Sequence, residues 1–376
     1  MESVRIMSDE VCHNQGIFGK KVVGMRKNGV CLPSPSDRMV REVGCSLDQR
    51  CGVGEGAELV VGVSGGADSL ALLAILEVLA RKRHRRYGLC VVHVHHHLRE
   101  EADGEAAAVE ELVGKLGRRF VRKDVYPGEG YGNLSAVARE LRYRALMEVA
   151  CEVGAGGIDG GGIDGGGVVV TGHHGTDQLE TVLFHLIRGA GLDGLAGMGW
   201  RTEIFGGVVV RPMLGRSHED CVRMCQSIGW DWFEDGSNAD CDKVRNRIRA
   251  EVLPVLREVS GDVESRIWRM TTLLREASEF VGESADGLIR QANREGGGCV
   301  LNRELLRGAN SMVLGFGLRE MVSLLGGSVD GVSYRVMEKV VGAIQDGSGV
   351  ERRFEFGGGV VVHVGKERVC VLLSEG

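Results

Sequence analysis

Residues 64–69 have the sequence SGGADS, the segment of this chain best suited to chemistry. Its two glycines, Gly65 and Gly66, let the backbone approach a ligand closely because they carry no side chain. Free N–H groups at the start of a helix favour an anion such as a phosphate. Asp68 would repel that phosphate unless a hard cation such as Mg²⁺ bridges the two. The segment therefore predicts that a nucleotide and Mg²⁺ are bound by Ser64, Gly65, Gly66, Ala67, Asp68 and Ser69.

This loop differs from two other nucleotide-binding loops. No Gly-Lys-Ser or Gly-Lys-Thr follows it, so the P-loop pattern of kinases and GTPases is missing, and its spacing is not G-x-G-x-x-G. A strand–turn–helix can also contain two glycines by chance. The Ser, Asp and Ser around these glycines make a nucleotide loop the better interpretation.

A run of histidines occurs in residues 93–99, HVHHHLR. Three adjacent histidines suggest a metal site. In an extended chain, however, successive side chains point in alternating directions, so adjacent residues do not converge on one ion. We therefore favour a loop that contacts the nucleotide over a zinc site.

A third segment, TGHHGTDQLET at residues 171–181, contains two histidines and two acids. Asp177 and Glu180 are three residues apart, which places both carboxylates on one face of a helix. Such a pair could bind a metal ion or an ammonium group. The alternative is that both acids complement the dipole of the helix. The position directly after a predicted strand favours the functional interpretation.

Arginines form further candidate contacts. Arg139 and Arg142 share a helix face with Tyr143, although exposed helix charges are common. Arg188 ends a predicted helix before Gly189 and either stabilises the helix dipole or reaches a phosphate. The basic segment 245–249, RNRIR, is either an RNA contact or a solvated face.

The elements that must position these residues alternate between strand and helix. Strands are predicted at 59–63, 88–94, 120–125 and 168–171, and helices at 69–82, 101–116, 135–151 and 177–188. This alternation predicts an α/β fold with a mainly parallel, doubly wound sheet. Ligands bind outside the carboxyl ends of such strands, so the three motifs should meet at one edge.

Four regions are predicted along the chain. Residues 1–57 form an N-terminal extension, poorly ordered in part, and residues 58–240 form the catalytic domain with a glycine-rich insertion at 154–167. Residues 241–292 form a helical linker, interrupted by Pro254. Residues 293–376 form a small α+β domain with helices first and short strands at the end.

Composition narrows the class of protein. The 376 residues are 43% hydrophobic but contain no apolar run long enough for a membrane helix, and no signal peptide is evident, so a cytoplasmic protein without membrane contact is expected. The net charge of −6 argues weakly against a nucleic-acid partner, although local basic patches matter more. The 11 cysteines include no C-x-x-C pair, which disfavours a disulfide framework, a zinc site or an iron–sulfur site.

Together these motifs resemble the tRNA(Ile)-lysidine synthetase family of PP-loop ATP pyrophosphatases. SGGADS matches the family's PP-loop fully. HVHHHLR resembles the family's V-D-H-G-L-R, with His96, Leu98 and Arg99 aligned and with His95 and His97 in place of Asp and Gly.

The resemblance extends from residue 59 to about residue 257. Residues 138–143 match A-R-x-x-R-Y, residues 172–181 resemble G-H-H-x-D-D-Q-x-E-T, and residues 188–198 resemble R-G-x-G-x-x-G-L-x-G-M. RPML at 211–214, WFEDGSN at 232–238 and RNRIRAEVLP at 245–254 are similar to the family's later blocks. One departure is Thr176, which replaces the first of two acidic residues and brings no charge.

The resemblance implies the PP-loop (adenine nucleotide alpha hydrolase-like) fold and an ATP-dependent ligase. In that family, ATP adenylates the C2 carbonyl oxygen of the wobble cytidine in the isoleucine tRNA with a CAU anticodon. The ε-amine of free L-lysine then displaces AMP and forms lysidine. The implied cosubstrate and cofactor are ATP and Mg²⁺, and the oligomeric state, monomer or homodimer, is left open.

The resemblance also implies roles for individual residues. Asp68 would bind Mg²⁺, His96 would contact ATP, and the base would be His173, His174 or Asp177. The ammonium groups of lysine would be held by Asp177 and Glu180, and phosphate or the lysine carboxylate by Arg139, Arg142 and Arg188. The tRNA would be bound by the C-terminal domain together with Arg245, Asn246, Arg247 and Arg249.

Two other classes remain open on sequence grounds. Other PP-loop enzymes, such as tRNA 2-thiolation enzymes, share SGGxDS but typically carry cysteine pairs, and amide-forming synthetases would not explain RNRIR or WFEDGSN. A degenerate homologue that binds nucleotide or RNA without catalysis is the other class, and Thr176 is the residue that supports it.

Overall fold

The computed structural model describes residues 11–15, 21–35, 37–97, 102–128, 134–154, 166–233, 243–295, 297–327 and 334–374. Leu98 and Arg99 of the histidine segment, most of the glycine-rich insertion, and Glu234–Asn238 of WFEDGSN lie outside these residues.

The strands and helices are numbered in chain order. The strands are β1 Val11–Gln15, β2 Lys21–Lys27, β3 Val30–Leu32, β4 Glu58–Gly62, β5 Gly88–His95, β6 Arg119–Asp124, β7 Val168–Val170, β8 Arg201–Ile204, β9 Gly207–Val210, β10 Asn293–Glu295, β11 Gly298–Asn302, β12 Arg352–Phe356, β13 Val360–Val364 and β14 Arg368–Leu373. The helices are α1 Arg38–Gln49, α2 Ala67–Ala80, α3 Ala102–Lys115, α4 Leu134–Gly154, α5 Gly175–Ile187, α6 Leu192–Leu195, α7 His218–Ile228, α8 Lys243–Arg247, α9 Leu253–Val259, α10 Val263–Ile289, α11 Arg303–Arg307, α12 Ser311–Leu324 and α13 Tyr334–Gln345.

A six-stranded sheet with the order β6-β5-β4-β7-β9-β8 carries the motifs. Its pairings are parallel except for the edge hairpin β8–β9. The strands are rich in valine, and alternate residues face two separate cores: Val61 packs in one and Val60 in the other. Both faces are therefore covered, which confirms the predicted α/β class with a mainly parallel, doubly wound sheet. The β8–β9 hairpin was not predicted.

The region before residue 58 was expected to be an extension. The structure instead describes a three-stranded antiparallel sheet, β1-β2-β3, followed by α1. Val40, Val43 and Leu47 of α1 are at most 1% exposed and join the main core. The ordered catalytic core therefore includes residues upstream of the predicted boundary, because α1 covers α2.

The chain divides into two compact units, residues 1–188 with 197–270, and residues 189–196 with 271–376. The division falls within α10 rather than at either predicted end of a linker. The second unit has a five-stranded antiparallel sheet, β10-β11-β14-β13-β12, with its own core beneath α12 and α13. The three terminal strands were predicted, whereas β10 and β11 were not.

The segment before α10 is not one regular helix. A π-helical turn at Ile248–Val252 separates α8 from α9, and Pro254 lies in the first turn of α9. Proline has no N–H to donate, so the hydrogen-bond register changes just before it. None of the described helices has the length and apolar character needed to cross a membrane.

Candidate active site

The nucleotide loop joins β4 to α2, and its backbone is arranged for an anion. Gly65 has φ +93°, a conformation that favours glycine, and a Cβ there would lie 3.1 Å from Cδ2 of Phe233. Gly66 is the N-cap of α2 and supplies no side-chain cap, so the helix start is open to an external acceptor. The Ser69 hydroxyl donates to the Gly66 carbonyl at 2.9 Å and accepts from the Ser64 N–H at 3.2 Å. These bonds close the turn around the predicted anion position.

A glycine that the sequence argument did not single out supports this loop. A Cβ on Gly172, just after β7, would lie 3.1 Å from the carbonyl carbon and oxygen of Asp68. We expect Gly172→Ala to cost about 1–3 kcal/mol of unfolding free energy, because overpacking displaces backbone. We also expect ATP binding to weaken by roughly tenfold, equivalent to about 1.4 kcal/mol. Urea unfolding and titration calorimetry with ATP measure the two effects.

Gly114→Ala is the matched control for that change. Gly114 lies in α3, and a Cβ there would meet no atom within 4 Å. This substitution should stabilise the protein by about 0.5–1 kcal/mol and leave ATP binding unchanged. Wild-type ATP affinity in Gly172→Ala would refute the supporting role of Gly172.

Asp68 is the centre of a cluster with two imidazoles. Its Oδ1 lies 3.3 Å from Nε2 of His174 and 2.8 Å from Nδ1 of His218. Burial alone would raise the pKa of the Asp68 carboxyl, but the hydrogen bonds from both histidines outweigh it and hold that pKa well below its usual range. Asp68 is therefore an anion at neutral pH, joined to two elements 100 or more residues away in the chain.

His174 carries a positive charge in this cluster. Burial disfavours the charged ring, but Asp177 and Asp68 more than offset this and raise the pKa of His174 to about 9. In the neutral ring, Nδ1 accepts from the Asp177 N–H at 3.4 Å; in the protonated ring, the same nitrogen faces the Asp177 carboxylate at 3.5 Å. The charged ring of His174 thus links Asp68 to Asp177 at the start of α5, where the Asp177 carboxylate also accepts the His174 backbone N–H at 2.9 Å.

This charge predicts how stability depends on pH. His174 keeps its proton up to pH about 9 when folded but only to about 6.5 when unfolded, so its stabilising contribution is complete below pH 6.5 and is lost as the pH rises through 9. We expect the free energy of unfolding of the wild type to fall by about 3 kcal/mol relative to His174→Gln over this interval. Urea unfolding of both proteins at pH 6, 7.5 and 9.5 measures the difference; parallel curves would contradict the assignment.

His173 has the opposite electrostatic environment. Its Nδ1 lies 2.8 Å from the Thr171 hydroxyl. Burial, followed by the charges of Arg142, Arg211 and Arg139, lowers the pKa of His173 well below its ordinary value. Of the two adjacent histidines, His173 is therefore the neutral one, with an unprotonated nitrogen at physiological pH.

The predicted arginine face of α4 is directed towards this block. The guanidinium carbons of Arg139 and Arg142 lie 5.2 Å and 5.4 Å from the centre of the Tyr143 ring. Arg211 donates to the Tyr143 hydroxyl at 3.5 Å. Burial lowers the pKa of Arg142, and the Asp177 carboxylate partly opposes this effect. These cations lie beside His173 and Asp177, where a carboxylate or phosphate would be stabilised.

Glu180 and Arg249 form a pair that the sequence did not predict. Arg249 donates from Nε and Nη2 to the two carboxylate oxygens of Glu180 at 2.7 Å and 3.0 Å. Glu180 is 5% exposed, and burial raises its pKa. Glu180 was predicted to hold an ammonium group, but in the structure it binds the guanidinium of Arg249. Arg249 belongs to the segment that was predicted to contact RNA.

The remaining predicted residues do not contact Asp68 in the described part of the structure. They lie at the end of α5, on α8 and just after β5. Arg188 lies at the far end of α5, 3.9 Å from the centre of the Phe184 ring, and Arg245 lies 4.9 Å from the same ring. Arg247 pairs with Glu251 on the surface. Asn246 precedes Arg247 on α8, and His96, whose side chain is half-buried, directly follows His95, the last residue of β5.

Thr176 is buried, and its position shows what an acidic residue there would meet. Its hydroxyl accepts from Nη2 of Arg257 at 3.3 Å and lies 3.5 Å from the backbone N–H of His218. Arg257 also pairs with Glu264 and Glu219. The cation opposite Thr176 is therefore already neutralised by other acids of this chain.

The structure also shows functional candidates that sequence reasoning missed. His218 is the first residue of α7, placed by a capping box between Ser217 and Asp220. Its signal was the S-H-E-D sequence after RPML, which predicts a helix start. Phe233, from WFEDGSN, donates its backbone N–H to the Gly65 carbonyl at 3.1 Å.

The Asp68 cluster contributes one carboxylate and two imidazoles within ligand distance of one another. Mg²⁺ prefers oxygen and is commonly bound by one or two carboxylates together with substrate phosphates. Asp68, about one third exposed beside the open start of α2, fits that arrangement. The two histidines do not, because they donate hydrogen bonds to Asp68.

Comparison with known proteins adds independent information. Residues 40–256 match the family described as PP-loop domain. The tRNA(Ile)-lysidine synthase of Salinispora tropica is 38% identical over 64% of this chain and 69% of its own length. That of Symbiobacterium thermophilum is 36% identical over 61% of this chain and 46% of its length, and that of Bacteroides thetaiotaomicron 32% over 61% and 50%. The chain thus spans about half the length of several relatives that it matches.

A solved structure supports the fold. The U34-tRNA thiolase NcsA from Methanococcus maripaludis, determined with its [4Fe-4S] cluster, superposes with a TM-score of 0.50 at 16% identity, over 63% of this chain and 77% of that one. At this identity the likeness concerns the fold alone. The matched family covers more than half of the chain and includes the loop, the histidine blocks and the arginine segments described above. The chain belongs to the PP-loop family and, within it, to the tRNA(Ile)-lysidine synthase family.

Proposed function

We propose that this protein ligates free L-lysine, through its ε-amine, to C2 of the wobble cytidine in the isoleucine tRNA with a CAU anticodon. ATP supplies the energy and is converted to AMP and pyrophosphate. The observation that carries the proposal is the convergence of an open anion-binding loop, the Asp68–His174 pair and the buried Glu180 at one sheet edge. The names of the relatives support the choice of substrate.

The first step forms the adenylate. The C2 carbonyl oxygen of cytidine attacks the α-phosphorus of ATP, and the bond to pyrophosphate breaks. The backbone N–H groups at the start of α2 and the imidazolium of His174 stabilise the developing negative charge. Mg²⁺, bound by Asp68, would neutralise the charge of the departing pyrophosphate.

The second step forms the C–N bond. The ε-ammonium of lysine, with an ordinary pKa of about 10.4, must lose a proton before its nitrogen attacks C2. AMP then leaves with the former carbonyl oxygen. Asp177 and Glu180 hold the ammonium, and the neutral ring of His173 accepts the proton; the lowered pKa of His173 supports this role. Arg139 and Arg142 bind the lysine carboxylate or a phosphate.

Binding of tRNA is assigned to the basic surface near the end of α5. Arg188 and Arg245 both lie against the buried ring of Phe184, so two cations are grouped there. Arginine side chains are common contacts to nucleic-acid phosphates. Asn246 and Arg247 extend the proposed surface, and the second unit is proposed to make tRNA contacts of its own.

The test is a reconstituted reaction. Purified protein, ATP, Mg²⁺ and radiolabelled lysine are mixed with unmodified isoleucine tRNA carrying CAU. We expect lysine-dependent AMP release and label on the tRNA, and no label on a methionine tRNA with the same anticodon. ATP and tRNA binding without labelled product would favour a non-catalytic homologue, and sulfur incorporation would favour a thiolation enzyme; either result would overturn the proposal.

The Thr176→Asp variant tests whether the missing acid matters. Its carboxylate would face Arg257, which lies 3.3 Å from the present hydroxyl and also pairs with Glu264 and Glu219, so the new charge would share this cation with two acids. We expect kcat/KM for lysine to be equal to or higher than that of the wild type. Thr176→Val, which removes the hydroxyl and adds no charge, is the control. A clear loss in the Asp variant would show that the hydroxyl has its own role.

A further inference from the structure

A second cluster of metal-ligand side chains lies where β5 and β6 end, separate from the Asp68 cluster. It consists of His95, His97 and Asp124. The alternation of an extended chain argues against three successive histidines as ligands, but His95 and His97 lie on the same side in the structure. The rings of His95 and His97 accordingly meet edge to face, with centres 4.2 Å apart.

The parallel register adds the carboxylate. His95 is paired with Asp124 in the β5–β6 ladder. Nε2 of His97 lies 2.7 Å from Oδ1 of Asp124, and Nδ1 of His95 lies 3.9 Å from the same oxygen. Ligands of a tetrahedral zinc ion with bonds of about 2.0 Å are roughly 3.3 Å apart. The two distances bracket that spacing, and all three ligand atoms lie within 4.8 Å of one another, so small side-chain shifts would bring them to one ion.

The environment of His95 is an independent indication of a ligand. His95 is 2% exposed, and its Nε2 is buried without a hydrogen-bond partner. Its Nδ1 accepts the backbone N–H of His97 at 3.3 Å, so the lone pair is on Nδ1 and the proton on Nε2; an ion bound by Nδ1 would replace this long hydrogen bond. That Nε2 faces Oδ1 of Asp103 at 3.6 Å. A metal-binding histidine commonly directs its second nitrogen at a carboxylate in this way.

The backbone and the neighbouring charges agree with a ligand role. His97 has φ +54°, a left-handed conformation in which a side chain other than glycine is strained. Its ring stacks on Tyr126 with centres 4.5 Å apart, which fixes the direction of Nε2. Arg122 pairs with Asp103 and Asp124 and neutralises them when no ion is bound.

We propose that His95, His97 and Asp124 bind a divalent transition-metal ion of the zinc class, with Asp103 as the outer carboxylate. Two imidazole nitrogens and one carboxylate suit zinc, cobalt or nickel and not the oxygen-seeking Mg²⁺ or Ca²⁺. The ion replaces Arg122 as the cation that neutralises the Asp124 carboxylate. It ties the end of β5 to the end of β6 and fixes the backbone on both sides of His96.

Metal titration of the chelator-treated full chain tests this site. Co²⁺ reports the ligands by its absorption spectrum, and Zn²⁺ competition with a chromophoric chelator reports affinity and stoichiometry. We expect one equivalent bound without thiolate charge-transfer bands. His97→Ala and Asp124→Asn should each weaken it at least tenfold, and Asp103→Asn by roughly 10- to 100-fold. Both His97 and Asp124 are partly exposed, so these variants should fold.

Two controls separate this site from others. Asp68→Asn removes the carboxylate of the other cluster, and His363→Ala removes a half-exposed histidine of the second unit. Both variants should still bind one equivalent of the metal ion. The proposal is overturned if Asp68→Asn loses the ion while Asp124→Asn keeps it, if the Co²⁺ spectrum shows thiolate ligation, or if the wild type binds more weakly than roughly 1 mM.

Discussion

Asp68→Asn should lower the rate of AMP formation by roughly 1,000-fold, the largest effect expected of a single change in this protein. The substitution keeps the shape of the side chain but removes the anion that anchors Mg²⁺ and accepts from His174 and His218. His218 loses its partner and His174 keeps only Asp177, so the electrostatics of the nucleotide site change along with its metal affinity. Single-turnover AMP release with saturating ATP, lysine and tRNA measures the effect.

The matched control is Glu111→Gln, the same carboxylate-to-amide change on the exposed face of α3. It should have wild-type activity. Far-UV circular dichroism and tRNA binding should be unchanged in both variants, which separates a chemical defect from misfolding. Full activity in Asp68→Asn would refute the metal role.

Glu180→Gln should lower kcat/KM for lysine by roughly 100-fold, because charge-assisted hydrogen bonds contribute about 1.5–3 kcal/mol. Glu180 is buried, accepts two hydrogen bonds from Arg249 and lies on the α5 face that also carries Asp177. In the proposed reaction the ammonium of lysine replaces that guanidinium. Initial rates at varied lysine, with ATP and tRNA saturating, measure kcat/KM, and Glu180→Asp should recover part of the loss.

Arg249→Ala distinguishes substrate binding from simple support of structure. If Glu180 serves lysine, removing Arg249 takes away a competitor, so KM for lysine should stay the same or fall. If Glu180 only neutralises Arg249, both single variants should be equally impaired and the double variant no worse than either. Binding of tRNA, measured by filter retention, should weaken in Arg249→Ala alone.

The chemistry-bearing loops could be predicted because their signals are local. The valine-rich run at β4, the SGGADS turn and the apolar periodicity of α2 are adjacent in the chain, and the same holds for β7 and α5. The β8–β9 hairpin escaped prediction because its strands are only 4 residues each and its turn uses Phe205 with φ +50°. The upstream helix α1 escaped because its apolar positions follow an unpatterned stretch.

Site contacts between distant residues were beyond local reasoning. His218 lies 150 residues from Asp68, and Arg249 lies 69 residues from Glu180. Thr176 was seen as a missing charge, but only the structure shows that Arg257 faces it. The alternation of the histidine run argued against a metal site. The pairing of β5 with β6 supplied the carboxylate on which the proposed metal site rests.

The amino-acid sequence alone therefore determined the fold class, the nucleotide loop and the edge of the sheet where the motifs meet. Strand and helix periodicities depend on neighbouring residues, so they can be recognised in the sequence. The general right-handed rule for parallel connections then gives the sheet edge where the motifs meet. Only the tertiary structure decided which side chains pair at that edge: Asp68 with His174 and His218, Glu180 with Arg249, and His95 and His97 with Asp124. Those pairings depend on strand register, helix packing and burial, which bring together charges from remote parts of the chain and set their protonation.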